Sequence, residues 1–114
     1  MAKVRRPLDR CPVALSLDVI GERWTLLIVR DLLDGPARFQ DLSESLAPVA
    51  PSVLSSRLKR LAENGLVVRE FYSDYPPRAK YRLTDAGRDL RPIVGALYNY
   101  GRKHLGHRTD AQPT

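Results

Sequence analysis

Apolar residues recur three and four positions apart in four stretches of the first half of the chain, as in amphipathic helices. The predicted helices begin at Pro12, Glu22-Arg23, Ala37 and Val53, and Cys11 and Ser52 are the expected N-caps of the first and the fourth. The second helix is almost entirely apolar from Trp24 to Val29 and should be the central core helix. In the first helix Val13, Leu17 and Ile20 follow this spacing, and in the second Trp24, Leu27, Ile28 and Leu32 share one face. The predicted inward-facing residues of the third and fourth helices are Phe39, Leu42, Leu46, Leu54, Leu58 and Leu61.

The pattern changes after Asn64-Gly65, which should end the fourth helix. Residues 66–72 are rich in β-branched and aromatic side chains and predict a strand. Residues 73–77 should form a turn, because prolines cannot donate to a ladder, and residues 80–83 predict the return strand. Thr84 should cap a last helix that kinks near Pro92.

This order of elements predicts an α+β fold, a mostly helical winged helix-turn-helix with a β-hairpin wing. We expect three segments: a flexible basic arm at 1–10, one domain at 11–107 that includes both terminal helices, and a disordered tail at 108–114.

Charge points to a polyanionic partner. The 114 residues contain 19 Lys and Arg against 13 Asp and Glu, a net charge of +6. Charge alone does not choose among DNA, RNA and anionic lipid. There is no apolar run of membrane-spanning length and no signal-peptide core, so we expect a cytoplasmic protein without a membrane partner.

The outer face of the fourth predicted helix, about residues 52–64, suits a DNA major groove, which is roughly 12 Å wide. Its short hydroxyl side chains would allow close approach: Ser52, Ser55 and Ser56. Its cations would contact phosphate, and the first of them could also bond a guanine edge: Arg57, Lys59 and Arg60. The alternative is an ordinary solvated basic helix.

The predicted wing, about residues 72–80, places two more cations beside a stiff Pro76-Pro77 turn. Arg78 could reach a narrow minor groove, where negative potential is concentrated, and Lys80 lies next to it. The alternative is a hairpin whose charges only face solvent.

Several motifs together resemble the HxlR-type winged helix-turn-helix transcriptional regulators. They are Trp24-Thr25-Leu26-Leu27-Ile28, Arg38-Phe39-Gln40-Asp41-Leu42, residues 54–61, Gly65-Leu66-Val67, residues 76–81 and Leu83-Thr84-Asp85-Ala86-Gly87. The resemblance implies a bacterial or archaeal homodimer, formed by the terminal helices, on a palindromic double-stranded operator. Where this family usually has a Gly-Ile-Ser-like turn, the chain has Val49-Ala50-Pro51-Ser52.

The resemblance also covers Cys11, which some relatives use to sense oxidants or electrophiles. A helix N-terminus and Arg10 would stabilise its thiolate, which makes redox sensing one hypothesis and a structural N-cap at the dimer interface the other. Trp24 should be core, with the wall of a small-effector pocket as the alternative.

No catalytic constellation is evident, and His104 and His107 lack further metal ligands nearby, so we expect no enzyme, cofactor or metal site. A second class of function stays open, a winged-helix interaction module that binds an acidic protein.

Overall fold

A computed structural model of the protein describes residues 7–110, and the side chains as far as residue 106. A short 3-10 turn, Leu8–Arg10, precedes the first helix. The helices are α1 Pro12–Ile20, α2 Arg23–Leu32, α3 Phe39–Ser45, α4 Pro51–Glu63, α5 Asp85–Arg88 and α6 Arg91–Asp110. The strands are β1 Val67–Asp74 and β2 Pro77–Leu83, which form an antiparallel pair. The predicted mostly helical winged fold is confirmed.

Helix α2 is the centre of the core, as predicted. It packs against α1, α3, α4, α6 and β2, and Ile28 and Val29 are completely buried. The buried face is rotated from the predicted one, because Thr25 and Val29 are buried whereas Trp24 and Leu27 are only half-buried. A helix that is apolar on nearly all sides does not reveal from its sequence which side faces inward.

Helix α4 lies with its apolar face on this core. Leu54, Leu58 and Leu61 are at most 1% exposed, which confirms the predicted inner face. The helix ends at Glu63, and Gly65 two residues later has a φ of 74°, which suits glycine. The Leu66 amide donates to the Leu61 carbonyl and the Gly65 amide donates to that of Ala62, the two bonds of a Schellman motif.

The beginning of α4 differs from the prediction. Cys11 is the N-cap of α1 as expected, but Ser52 is not the N-cap of α4; Ala50 is, and Pro51 is the first helical residue. Proline suits this position because its fixed φ is helical and its missing N–H would have no partner there. The helix therefore starts two residues earlier than predicted.

The wing is longer than predicted. Residues 73–77 do not all form a turn, because Asp74 pairs with Pro77 and only Tyr75-Pro76 connects the strands. Pro77 is tolerated because it begins a strand with one open edge, where an N–H is not needed. The register shifts between Phe71 and Ser73, which places a bulge at Tyr72.

A backbone bridge that the sequence did not predict anchors the wing. The Ala37 amide donates to the Tyr81 carbonyl at 3.0 Å, and the Tyr81 amide donates to the Ala37 carbonyl at 2.7 Å. The connection between α2 and α3 thus adds a third, one-residue strand beside β2.

The C-terminal helix is broken near the predicted kink. Helix α5 ends at Arg88, and α6 restarts at Arg91, with Pro92 in its first turn. The backbone of α6 is not helical at Leu105, and the helical stretch after it includes residues 108–110 of the predicted tail. Residues 111–114 and residues 1–6 of the predicted arm lie outside the described part. Among residues 7–110, no helix is both long and apolar enough to cross a membrane.

Candidate nucleic-acid interface

The outward side of α4 carries a continuous polar stripe. Ser52, Ser55, Ser56, Lys59 and Arg60 are exposed, on the side away from the buried leucines. Their spacing of three and four residues keeps them on one face of the helix. The structure therefore brings five of the six residues predicted on this helix to one surface, which we call the α4 stripe.

The N-terminus of α4 adds backbone donors to this surface. No side chain caps it, and the first amide bonded within the helix is that of Leu54, which donates to the Ala50 carbonyl. Pro51 has no N–H, so the amides of Ser52 and Val53 are left for solvent or an anion. Such an end favours phosphate, because amide donors and the helix dipole act together.

Arg57, the sixth predicted residue, is directed mainly toward the start of α2, although its Nη1 also donates to the Ser56 hydroxyl at 3.3 Å. Its Nε lies 2.7 Å from Oε2 of Glu22, the N-cap residue of α2. The Nε is buried and not aligned on the oxygen, so the contact is an ion pair and not a directed hydrogen bond. Arg57 is 29% exposed, which leaves its guanidinium only partly accessible.

Glu22 is held in its charged form by this environment. Partial burial raises the pKa of Glu22, but contact with Arg57 and hydrogen bonds from the Trp24 amide and the Thr25 hydroxyl outweigh it. The net result is a pKa below the ordinary value for glutamate.

Arg60 is tethered more loosely. Its Nη2 donates to the Asp18 carbonyl of α1 at 3.2 Å, while the side chain stays exposed. Because one guanidinium has five N–H groups, Arg60 keeps donors for another partner.

The wing presents its predicted cations to solvent. Arg78 and Lys80 are both exposed, and the Lys80 ammonium lies 5.3 Å from the centre of the Tyr72 ring. The Ser73 hydroxyl donates to the Pro76 carbonyl at 3.0 Å and orders the turn. Tyr75 is 96% exposed at its tip.

Arg38 joins this surface and was not among the predicted contacts. It is the N-cap residue of α3, and its side chain donates two hydrogen bonds to Asp41, at 2.9 and 3.1 Å. The contact with Asp41 raises the pKa of Arg38, and Tyr72 of the wing raises it further to a smaller extent. The Arg-x-x-Asp spacing in the sequence indicates that Arg38 pairs with Asp41. It does not indicate that Arg38 lies close to the wing.

The remaining candidates lie elsewhere. Cys11 is half-buried at the start of α1. The His104 ring packs against Tyr100, with 4.6 Å between ring centres, and no metal-binding cluster occurs in the part of the chain that the structure describes. Trp24 packs against the core beneath Arg23 and does not line the open cleft between α2 and α6.

Residues 19–109 match the family model of the HxlR-like helix-turn-helix. The chain belongs to this family. HxlR-like proteins are transcriptional regulators that bind DNA, and enzymatic activity is not their role, which agrees with the expectations from sequence.

Named relatives support this assignment. Over 93 residues the chain is 46% identical to an uncharacterised HTH-type transcriptional regulator of Mycobacterium tuberculosis, an alignment that covers 82% of the chain and 58% of the relative. It is 33% identical over 96 residues to YdeP of Bacillus subtilis, covering 84% and 75%. The chain thus spans less than two thirds of the mycobacterial relative.

A solved structure similar to this chain is that of the redox regulator HypR in its oxidised form. It superimposes with a TM-score of 0.78 at 35% identity and covers 82% of this chain and 97% of that one.

Proposed function

We propose that this HxlR-like regulator binds a palindromic operator as a homodimer, with α4 of each subunit in a major groove and the wing beside it. Such a regulator works in the cytoplasm, where the chromosome is. The observation that carries the proposal is the α4 stripe, a polar face of one helix that stands out from the core next to a basic wing.

The chemistry of the stripe suits a groove. The three serines are short, so the helix backbone can approach base edges closely while their hydroxyls donate or accept. Lys59 and Arg60 extend further and fit phosphate oxygens. The uncapped amides of Ser52 and Val53 would contact phosphate at the helix N-terminus.

The wing supplies the second contact. Arg78 and Lys80 are exposed on a hairpin that the Ala37–Tyr81 bridge fixes to the core. A rigid base lets these cations lie along the adjacent backbone, with Arg78 reaching the minor groove.

The terminal helices support a dimer. Val13 and Leu17 of α1 are 65% and 57% exposed, and Leu97 and Tyr98 of α6 are 53% and 62% exposed. Exposed apolar surface of this extent on two helices is typical of a protein–protein interface. A two-fold dimer would place its α4 helices on half-sites about one DNA turn, or a multiple, apart.

The test is a Lys59→Ala/Arg60→Ala variant, measured for salt-dependent retention on heparin and on duplex DNA. Each lost phosphate contact should flatten the slope of log affinity against log salt by about 0.9. The matched control is Arg91→Ala/Lys103→Ala, with the same charge change on α6. If the slope of log affinity against log salt is the same for both variants, the proposal is contradicted. That result would favour the alternative, an interaction module that binds an acidic protein.

We also propose that oxidation of Cys11 modulates binding. Two observations favour it: the structural neighbour HypR is a redox regulator, and Cys11 is only half-buried at the start of α1. Diamide should change operator affinity or crosslink wild-type dimers on a non-reducing gel, and should do neither to Cys11→Ser. An unchanged wild-type protein would favour the structural role of Cys11.

A further inference from the structure

Two arginines of α4 hold that helix to the junction of α1 and α2. Arg57 forms the ion pair with Glu22, which begins α2, and Arg60 donates to the carbonyl of Asp18 in the last turn of α1. Both contacts lie on the side of α4 that faces the end of α1 and the start of α2. The α1–α2 junction is therefore a lateral support for the helix assigned to the groove.

The Glu22–Arg57 pair is better suited to support than to DNA contact. The Arg57 Nε has no access to solvent, and Glu22 also accepts from the Trp24 amide at 3.0 Å and the Thr25 hydroxyl at 3.3 Å. A carboxylate fixed by three neighbours gives Arg57 one defined position. Turning the guanidinium toward phosphate would break its contact with Glu22.

We propose that Glu22 and Arg57 are positioning residues of the DNA interface, which set the angle of α4 and make no contact with DNA themselves. This inference rests on the proposed placement of α4 in the major groove. It removes Arg57 from the predicted DNA contacts and gives it a different role. Base contacts need an accurately placed helix, whereas general attraction to phosphate tolerates displacement.

This distinction predicts a particular effect of Arg57→Gln. Affinity for the operator should fall about twofold to thirtyfold, the range seen for residues that couple through packing. Affinity for a duplex of mixed sequence, and its salt slope, should stay close to wild type because no phosphate contact is lost. Loss of folded protein would instead lower both affinities equally.

The experiment uses an operator that the wild-type protein selects from a random-sequence duplex library, plus one mixed-sequence duplex. Binding is measured over a salt series at a temperature where thermal unfolding shows every variant to be folded. Unchanged operator affinity in Arg57→Gln would overturn the proposal. So would an equal loss on both duplexes, or a slope flattened by about 0.9.

Lys59→Gln is the matched control, because it removes one positive charge two residues away on the α4 stripe. Its slope should flatten by about 0.9 on both duplexes. If the salt slope of Lys59→Gln equals that of the wild type, the placement of α4 in the groove is wrong, and the positioning role of Glu22 and Arg57 is wrong as well. If only Lys59→Gln behaves as expected, the placement stands and the positioning role alone is overturned.

A double-mutant cycle tests whether the two residues act together. Glu22→Gln keeps an oxygen that can accept from the Trp24 amide but removes the charge opposite Arg57. If the pair is the positioning element, Glu22→Gln/Arg57→Gln should lose no more operator affinity than the weaker-binding single variant. Losses that multiply would show independent roles and would contradict the proposal.

Discussion

The Thr84 hydroxyl donates to the Gly65 carbonyl at 2.6 Å and accepts from the Gly87 amide at 3.1 Å. One side chain thereby joins Gly65, just after α4, to the first turn of α5, and the Thr84 amide donates to the Leu66 carbonyl beside it. These bonds close the base of the wing, so the hairpin starts and returns at the same place.

Replacement of Thr84 by alanine should lower the free energy of unfolding by about 1–2 kcal/mol, because it removes an N-cap and leaves a carbonyl without its donor. Thr84→Ser keeps the hydroxyl and should retain most of the stability. Urea unfolding checks both variants; equal destabilisation in the two would show that the methyl group matters and the hydroxyl does not.

Gly87 lies against the same junction. A Cβ at this position would be 2.2 Å from the Leu66 carbonyl oxygen and 2.9 Å from Leu83 Cδ2. Gly87→Ala should therefore destabilise the fold by about 2–3 kcal/mol, since backbone cannot yield as a flexible side chain can.

Gly95→Ala is the control for this substitution. A Cβ on Gly95, within α6, would have no atom within 4 Å. Alanine there should stabilise the helix by up to about 1 kcal/mol. Thermal unfolding should thus shift in opposite directions for the two variants, and a common direction would contradict the packing at Gly87.

Acid should weaken the start of α3. The Arg38 side chain, and then its backbone amide, hold the pKa of Asp41 at about 2, below the usual 3.8. A lowered pKa in the folded state means that the ionised form favours folding; this contribution is present above about pH 4 and is lost as pH falls toward 2. Denaturant midpoints of wild type and Asp41→Asn should converge across that window. Arg38→Gln should show the same flattened pH dependence as Asp41→Asn, and parallel curves for all three would refute the pairing.

The features that could be predicted from the sequence are those that depend on residues a few positions apart. Leu54, Leu58 and Leu61 recur with helical spacing, so the inner face of α4 and, by exclusion, most of its outer face were predictable. Gly65 was recognised as the signal that ends α4, and Thr84 was recognised as an N-cap. Both were predictable because each acts on backbone groups within a few residues of itself.

Features that depend on distant parts of the chain were missed. The pairing of Arg57 with Glu22 joins residues that no local pattern connects, and Arg57 was assigned to DNA on charge alone. The Ala37–Tyr81 bridge is formed by backbone, which leaves no composition signal. At Ser52, the preference of serine for N-caps was outweighed by the fixed geometry of Pro51.

Arg78→Ala tests the wing. If Arg78 contacts the DNA backbone or minor groove, its loss should weaken operator binding and flatten the salt slope by about 0.9. Arg91→Ala removes the same charge beside the α2–α6 cleft and should leave the slope unchanged. The measurement is a fluorescence-anisotropy titration over a salt series. An Arg78→Ala slope equal to that of Arg91→Ala would show a wing that only faces solvent.

Leu17→Glu and Leu97→Glu test whether α1 and α6 form the dimer. Each side chain is more than half exposed, at 57% and 53%, so a charge there should leave the subunit folded. Buried in an interface, the same charge would lack a partner and would oppose association. Sedimentation should show a monomer for both variants and a dimer for Ser16→Glu, which adds the same charge at an exposed polar position of α1. Operator affinity should fall about 100-fold or more, because a monomer loses the effective concentration of the second half-site. Dimers that persist in both apolar-to-charged variants would place the interface on another surface.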